Sequence, residues 1–273
     1  MLPLNFHKTF IPERRLIAAL LEYAALGKEG SLQEISEDTG IPMGKSTGKM
    51  PAILDYCRGM GLIVVRPGSQ KQHKKPVLTS FGEAVYLHDK YLGETLTQWL
   101  VHMHLCRDDI GAKAWHEVFA RGRNILGASF STKQLEDYLV SYFGRGKNRT
   151  GPLLSAYFDD AALGRAKVLA IEGDFVTRNK APILASWAVP YSAYILSLLE
   201  AFFPKETQIT LTDFSEKTLW FDVCLWQEVD IETAFSFVET KGFITIDRQI
   251  RPWLIEKKAR AQEIWLRIFD EIA

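Results

Sequence analysis

Four carboxylates offer the most reactive chemistry in the chain. Asp159 and Asp160 are adjacent, and Glu172 and Asp174 follow within KVLAIEGDFV. Read as one strand, that segment puts Glu172 and Asp174 on a common face, because side chains alternate with period two. Carboxylates so paired can hold Mg2+ or Mn2+ and activate water for phosphodiester hydrolysis. The expected catalytic group is Asp159, Asp160, Glu172 and Asp174, with Glu172 and Asp174 as metal ligands. Exposed carboxylates beside a turn, with no catalytic part, are the alternative.

The second chemistry is cationic. GIPMGKSTGK, residues 40–49, ends like a phosphate-binding loop. Such a loop needs a preceding strand and four residues between its glycines. Here three residues separate Gly40 from Gly44, and a helical pattern precedes them. The segment reads better as the turn and N-terminus of a recognition helix, where Lys45, Ser46, Thr47 and Lys49 meet phosphates or base edges. Residues 41–75 carry Lys45, Lys49, Arg58, Arg66, Lys71, Lys74 and Lys75 against Asp55 alone, a net +6. A local patch of that size in a chain of zero net charge is a footprint for nucleic acid. A second basic loop, GRGKNRTGP at 144–152, adds Arg145, Lys147 and Arg149 as candidate backbone clamps. His102, His104 and Cys106 look like metal ligands, but only His102 and Cys106 share a helical face, which leaves a metal two ligands short. They are read as structural.

The elements that must position these groups follow from periodicity and caps. IPERRLIAALLEYAALG reads as a helix with an apolar stripe at Leu16, Ile17, Leu20 and Leu21. SLQEISEDTG has capping-box spacing at Ser31 and Glu34. A third helix follows, capped by Ser46 or Thr47, and then the strand LIVV, the polar loop RPGSQKQHKKP and a return strand. Helix, helix, helix, strand, basic loop, strand is the winged helix-turn-helix order. Residues 1–93 are thus expected to be a DNA-binding domain of that kind. Residues 94–273 are expected to be mostly helical with a small β element. Within them, roughly 190–250 echo the first domain: AILDYCRGMGLIVV and AFSFVETKGFITID both run helix, glycine, β-branched strand. That degenerate unit lacks a basic wing. The tail RPWLIEKKARAQEIWLRIFDEI reads as an amphipathic helix with Leu254, Ala261, Ile264, Trp265 and Ile268 on one stripe. The fold class expected is mainly α, of the α+β kind.

Composition narrows the setting. Three scattered cysteines in 273 residues suit a reducing compartment, and no apolar run is long enough for a membrane span. The opening MLPLNFHKTF turns polar at once, unlike a leader peptide. A cytoplasmic protein is expected.

Several stretches resemble a bacterial family labelled as a domain of unknown function and associated with DNA phosphorothioation defence systems. They are FHKTFIPERRLIAALLEYA, IPMGKSTGKMPAILDYCRGMGLI, LTSFGEAVYLHDKYLGETLTQWLVHMHL and AWHEVFARG. The resemblance is strongest over residues 5–120 and weak in the middle of the chain. It departs at Gly44–Gly48, where the family has Gly-Lys-Asn-Met-Val, and at Asp89–Leu92, where it has Asp-Pro-Tyr-Leu. It implies the nickase-like component of single-strand phosphorothioation machinery. Its implied partners are double-stranded DNA, a cysteine desulfurase, an ATPase and an ATP-pyrophosphatase of the phosphoadenosine-phosphosulfate (PAPS) reductase type. No family catalytic motif maps onto this chain residue by residue. The expected function is a DNA-binding phosphorothioation component, with metal-dependent nicking as its possible reaction. The alternatives are a winged-helix transcriptional regulator with a helical dimerisation or effector domain, and an adaptor that binds only protein. A homodimer fits any of the three.

Overall fold

The same local signal starts three helices. Ser31 accepts the Glu34 amide while Glu34 reaches back to the Ser31 amide, and Ser131 and Gln134 repeat that capping box. Thr210 accepts the Asp213 amide and donates its hydroxyl to the Asp213 carboxylate at 2.6 Å. The next residue is in each case apolar and fully buried: Ile35, Leu135 and Phe214. A cap that satisfies orphan amides, followed by a core anchor, fixes both where the helix starts and which face it buries.

Around these starts the computed structural model, which describes residues 1–44, 48–146, 150–249 and 251–271, shows an α+β chain with three small antiparallel sheets. Its first part runs α1 (Arg14–Ala25), α2 (Leu32–Thr39), α3 (Lys49–Gly59), β1 (Ile63–Pro67), β2 (Lys74–Leu78) and α4 (Ser80–His88). Its second runs α5 (Thr95–Leu105), α6 (Lys113–Trp115), a π-helical stretch His116–Arg121, and α7 (Arg123–Leu126). There follow β3 (Ser129–Ser131), α8 (Thr132–Phe143), α9 (Thr150–Phe158), β4 (Leu169–Glu172) and β5 (Phe175–Arg178). The third runs α10 (Ala188–Phe202), β6 (Gln208–Thr210), α11 (Leu211–Thr218), α12 (Trp220–Cys224), α13 (Glu228–Glu239), β7 (Ile244–Asp247), β8 (Leu254–Lys257) and α14 (Ala261–Trp265).

One topology therefore occurs three times. The sheets are ordered β3-β5-β4 and β6-β8-β7, so the first strand of each trio pairs with the third. In the first part Gly30 takes the place of that first strand, bridging Lys74 of β2, which pairs with β1. The first, middle and last parts follow a similar order of helices and strands. The chain divides into two compact units, Met1–Asn179 and Lys180–Ala273, so residue 93 lies inside the first unit.

Several expectations change. KVLAIEGDFV is a hairpin, not one strand, because the chain reverses at Gly173 (φ +61). The tail is not one helix: Leu254 belongs to β8, and only Ala261–Trp265 is helical, with Ala261, Ile264, Trp265 and Ile268 buried against the last unit's core. Helix α3 has Gly48 as its N-cap, without a side-chain cap, and Ser46 and Thr47 lie outside the described residues. Thr79 caps α4, its side chain accepting the Gly82 amide.

Unit one closes over its own third helix. Leu2 bridges Ala112, Phe6 packs edge-on against Tyr56 at 4.8 Å between ring centroids, and the Tyr56 hydroxyl donates to the Phe10 carbonyl. Deeper, Tyr157 joins two side chains: its hydroxyl lies 2.6 Å from His102 Nδ1 and accepts from Trp115 Nε1 at 2.8 Å. Cys106 Sγ sits 3.7 Å from the same imidazole. His102 and Cys106 thus share a face and take part in a core network. In unit two Tyr191, Trp220 and Trp226 pack edge-to-face into one aromatic cluster. Among the described residues no helix is long and apolar enough to cross a membrane.

The buried imidazoles make the fold acid-sensitive. Burial holds His102 and His104 well below the ordinary histidine value, with Arg178 and Arg107 adding to it, and holds His7 at about 4. In the unfolded chain they titrate near about 6.5. Their contribution is thus complete above that value and is lost as pH falls through it, because the unfolded state then binds more protons. The melting temperature is expected to drop by about 5 °C or more between roughly pH 7.5 and 5. A flat profile over that range would contradict the neutral buried state.

Candidate nucleic-acid interface

The hairpin of β1 and β2 sets two of its cations directly opposite each other. Arg66 faces Lys75 and Pro67 faces Lys74 across the ladder. Like charges directly opposite on a sheet repel, so an anion between Arg66 and Lys75 would relieve the pair. Among the described residues, Arg66, Lys71, Lys74 and Lys75 make no side-chain ion pair; the Lys75 charge adds to the lowering of the Glu29 carboxyl.

The hairpin is nonetheless held in place. The Gly68 amide donates to the His73 carbonyl at 2.9 Å, and the His73 amide donates to Gln70 at 3.0 Å. Glu29, in the loop after α1, accepts from both the hydroxyl and the amide of Ser69. These two donors hold its carboxyl below the usual range. The His73 ring lies 3.4 Å from Glu34 and 3.8 Å from Glu29. Backbone bonds between Gly30 and Lys74 complete the anchor. These carboxylates hold the turn from beneath, and its cations are left unpaired.

Helix α3 is less available than its sequence suggests. Met50, Ala52, Ile53, Leu54, Tyr56, Cys57 and Gly59 are all buried. What remains outward is Lys49, Pro51, Asp55 and Arg58, and Arg58 already pairs with Asp55 at 2.7 Å. Lys49 is ion-paired to Glu13 and lies over the Phe10 ring at 5.7 Å. Its charge is balanced within the chain.

Arg145 is exposed just beyond Gly144, which ends α8 with φ +76, and is unpaired among the described residues. Lys45, Ser46, Thr47, Lys147 and Arg149 lie outside the described residues. In the sequence, the basic segments 40–48 and 144–149 join α2 to α3 and α8 to α9.

The four carboxylates sit in two places. Asp159 caps the Ala161 amide at 2.8 Å, and the Asp160 carbonyl accepts from Arg14 Nη2 and Nε at 2.5 and 3.1 Å. Glu172 ends β4, and Asp174 occupies the two-residue turn, its carbonyl accepting the Thr132 amide at 3.0 Å. The common strand face expected for Glu172 and Asp174 does not exist, because the reversal at Gly173 separates them. Among the described residues no three of His, Cys, Asp and Glu are grouped to hold a metal ion. Gly-Asp between two short apolar runs was the sequence signal for this hairpin.

A family model described as a protein of unknown function, DUF4007, matches residues 52–156. No curated protein matches the sequence. Two solved structures, SspB and a magnesium ion-bound SspB, superpose with TM-scores of 0.64 and 0.65. Each alignment covers 98% of this chain and 87% of the other at 14% identity. The chain shares their fold.

Proposed function

We propose that this chain is the duplex-DNA-binding component of a DNA phosphorothioation system. The observation that carries the reading is the anchored β1–β2 hairpin, whose four cations make no ion pair among the described residues. We read each repeat as a winged helix, because strand one pairs with strand three and the basic hairpin occupies the wing position. The fold shared with SspB, a phosphorothioation-system protein, and the DUF4007 match support the setting.

The burial of α3 favours this over an operator-reading regulator. Base readout needs donors and acceptors on an exposed helix face. Here Pro51 and an internally paired Asp55 and Arg58 occupy it. Contacts from the hairpin would instead be to phosphates, which position a duplex without reading its sequence. Protein acting on many sites needs that mode.

Fluorescence anisotropy with an unrelated pair of short duplexes tests the proposal. The two affinities are expected to agree within about threefold and to fall steeply with salt. Strong preference for one sequence, or binding indifferent to salt, would reject it. The nicking part is tested with supercoiled plasmid and Mg2+ or Mn2+. If Glu172 and Asp174 act, Asp174→Asn abolishes relaxation while duplex affinity changes by less than about threefold. Equal nicking by the variant removes the carboxylate assignment, and no nicking by the wild type leaves DNA binding as the chain's part.

A further inference from the structure

The last unit carries an acidic groove. Helices α11 and α13 and residues Arg251, Pro252 and Trp253 line a cavity of about 630 Å3. Leu211, Phe221, Ile231 and Trp253 line its apolar part, and Glu216, Glu228 and Glu232 its acidic part. From Leu211 to Thr240 the chain carries seven carboxylates against Lys217 alone, a net −6. The first repeat's β1–β2 hairpin carries Arg66, Lys71, Lys74 and Lys75 and no carboxylate, so the two surfaces do not suit the same ligand.

We propose that this groove docks a cationic, amphipathic segment of a partner protein. The charge repels nucleic acid and attracts lysine or arginine. The apolar lining adds a requirement that a metal ion or a polyamine does not meet: the occupant must also bring an aliphatic or aromatic side chain. Arg251 shows how the cationic part would be held. It lies 2.8 Å from Glu228 and 3.8 Å from Glu232, with its guanidinium 5.6 Å from the centroid of the Trp253 ring. The Arg251–Glu228 pair is about 70% exposed on both sides (71% and 72%), so an incoming arginine can take its place at little cost. Val229, 67% exposed on the first turn of α13, extends the apolar surface beyond the groove. A helix laid into such a groove anchors at positions three and four apart.

The probe is a fluorescein-labelled 14-residue peptide of lysine and leucine in helical amphipathic order, with an equally charged lysine–serine isomer as control. The full chain is expected to bind the leucine peptide at micromolar concentration and the serine peptide at least about tenfold more weakly. Glu228→Lys with Glu232→Lys, both on the surface, is expected to weaken the leucine peptide by about tenfold or more. Ile231→Ser is expected to weaken it several-fold with an unchanged circular dichroism spectrum. The proposal fails if both peptides bind equally, if neither binds, or if the charge-reversed variant binds as well as the wild type. It also fails if a short duplex displaces the peptide, or if light scattering shows a second copy of the chain occupying the groove in a dimer that the same variants dissociate.

Discussion

Replacing Arg66, Lys71, Lys74 and Lys75 together by glutamine is expected to flatten the salt dependence of duplex binding by up to about 3.6 in log–log slope, about 0.9 for each phosphate no longer neutralised. Over the range 50 to 200 mM salt, the wild type would then lose about two orders of magnitude more affinity than the variant. The fold should survive, since all four side chains lie at least partly in solvent and none is ion-paired among the described residues. Removing the opposed Arg66 and Lys75 charges takes away a cross-strand repulsion, so the melting temperature should hold or rise. Two single variants sharpen the result. Arg145→Gln should lower the slope by no more than about 0.9, the share of a single phosphate. Lys49→Gln should leave the slope unchanged, because that lysine already serves Glu13. A quadruple variant with wild-type affinity and slope would move the hairpin out of DNA binding altogether.

Gly82→Ala is expected to be among the most destabilising single substitutions in the first unit. A Cβ there would stand 1.8 Å from the Leu62 carbonyl oxygen and 2.7 Å from its carbon. The neighbours cannot yield, because the same carbonyl accepts the Thr79 amide at 3.1 Å and Thr79 caps α4 through the Gly82 amide at 2.9 Å. Backbone, not a flexible side chain, must move. A cost of about 3 kcal/mol or more follows, with a fall in melting temperature of roughly 6–12 °C. Gly27→Ala supplies the contrast. Gly27 has φ +68 and open space around it, so only the left-handed backbone penalty of about 1 kcal/mol applies. Equal losses for the two variants would show that the approach of α4 to Leu62 is not tight.

What the sequence made legible was local. Ser31 with Glu34 announced α2, since the cap and its partner lie three residues apart. The cationic hairpin was visible for the same reason. Contacts between distant residues were not. Nothing near GKMPAILDYC shows that Leu2 and Phe6 will cover it, or that Glu13 will take Lys49 from 36 positions away. The middle repeat escaped notice because its leading helix is broken into α5, α6, the π-helical stretch and α7, so no single periodic run marks it. Its hairpin was misread because a two-residue turn interrupts the alternation by too little to disturb the pattern. The carboxylates were grouped by nearness in sequence, and that reversal separates them.

The N-terminal strap decides where the chain can be cut. A polypeptide ending after residue 93 would retain α3 but lose Ala112, which the strap bridges at Leu2, and Trp115, which Phe6 and Tyr56 pack against. Such a fragment would expose an aromatic surface to water and is apt to aggregate, although its element order is complete. Proteolysis should accordingly yield no persistent fragment ending there. A cut near Asn179 severs neither the strap nor its partners, so fragments should accumulate from that side of the chain. The first two repeats are in this sense inherited as a single part, however clearly their helices and strands can be told apart.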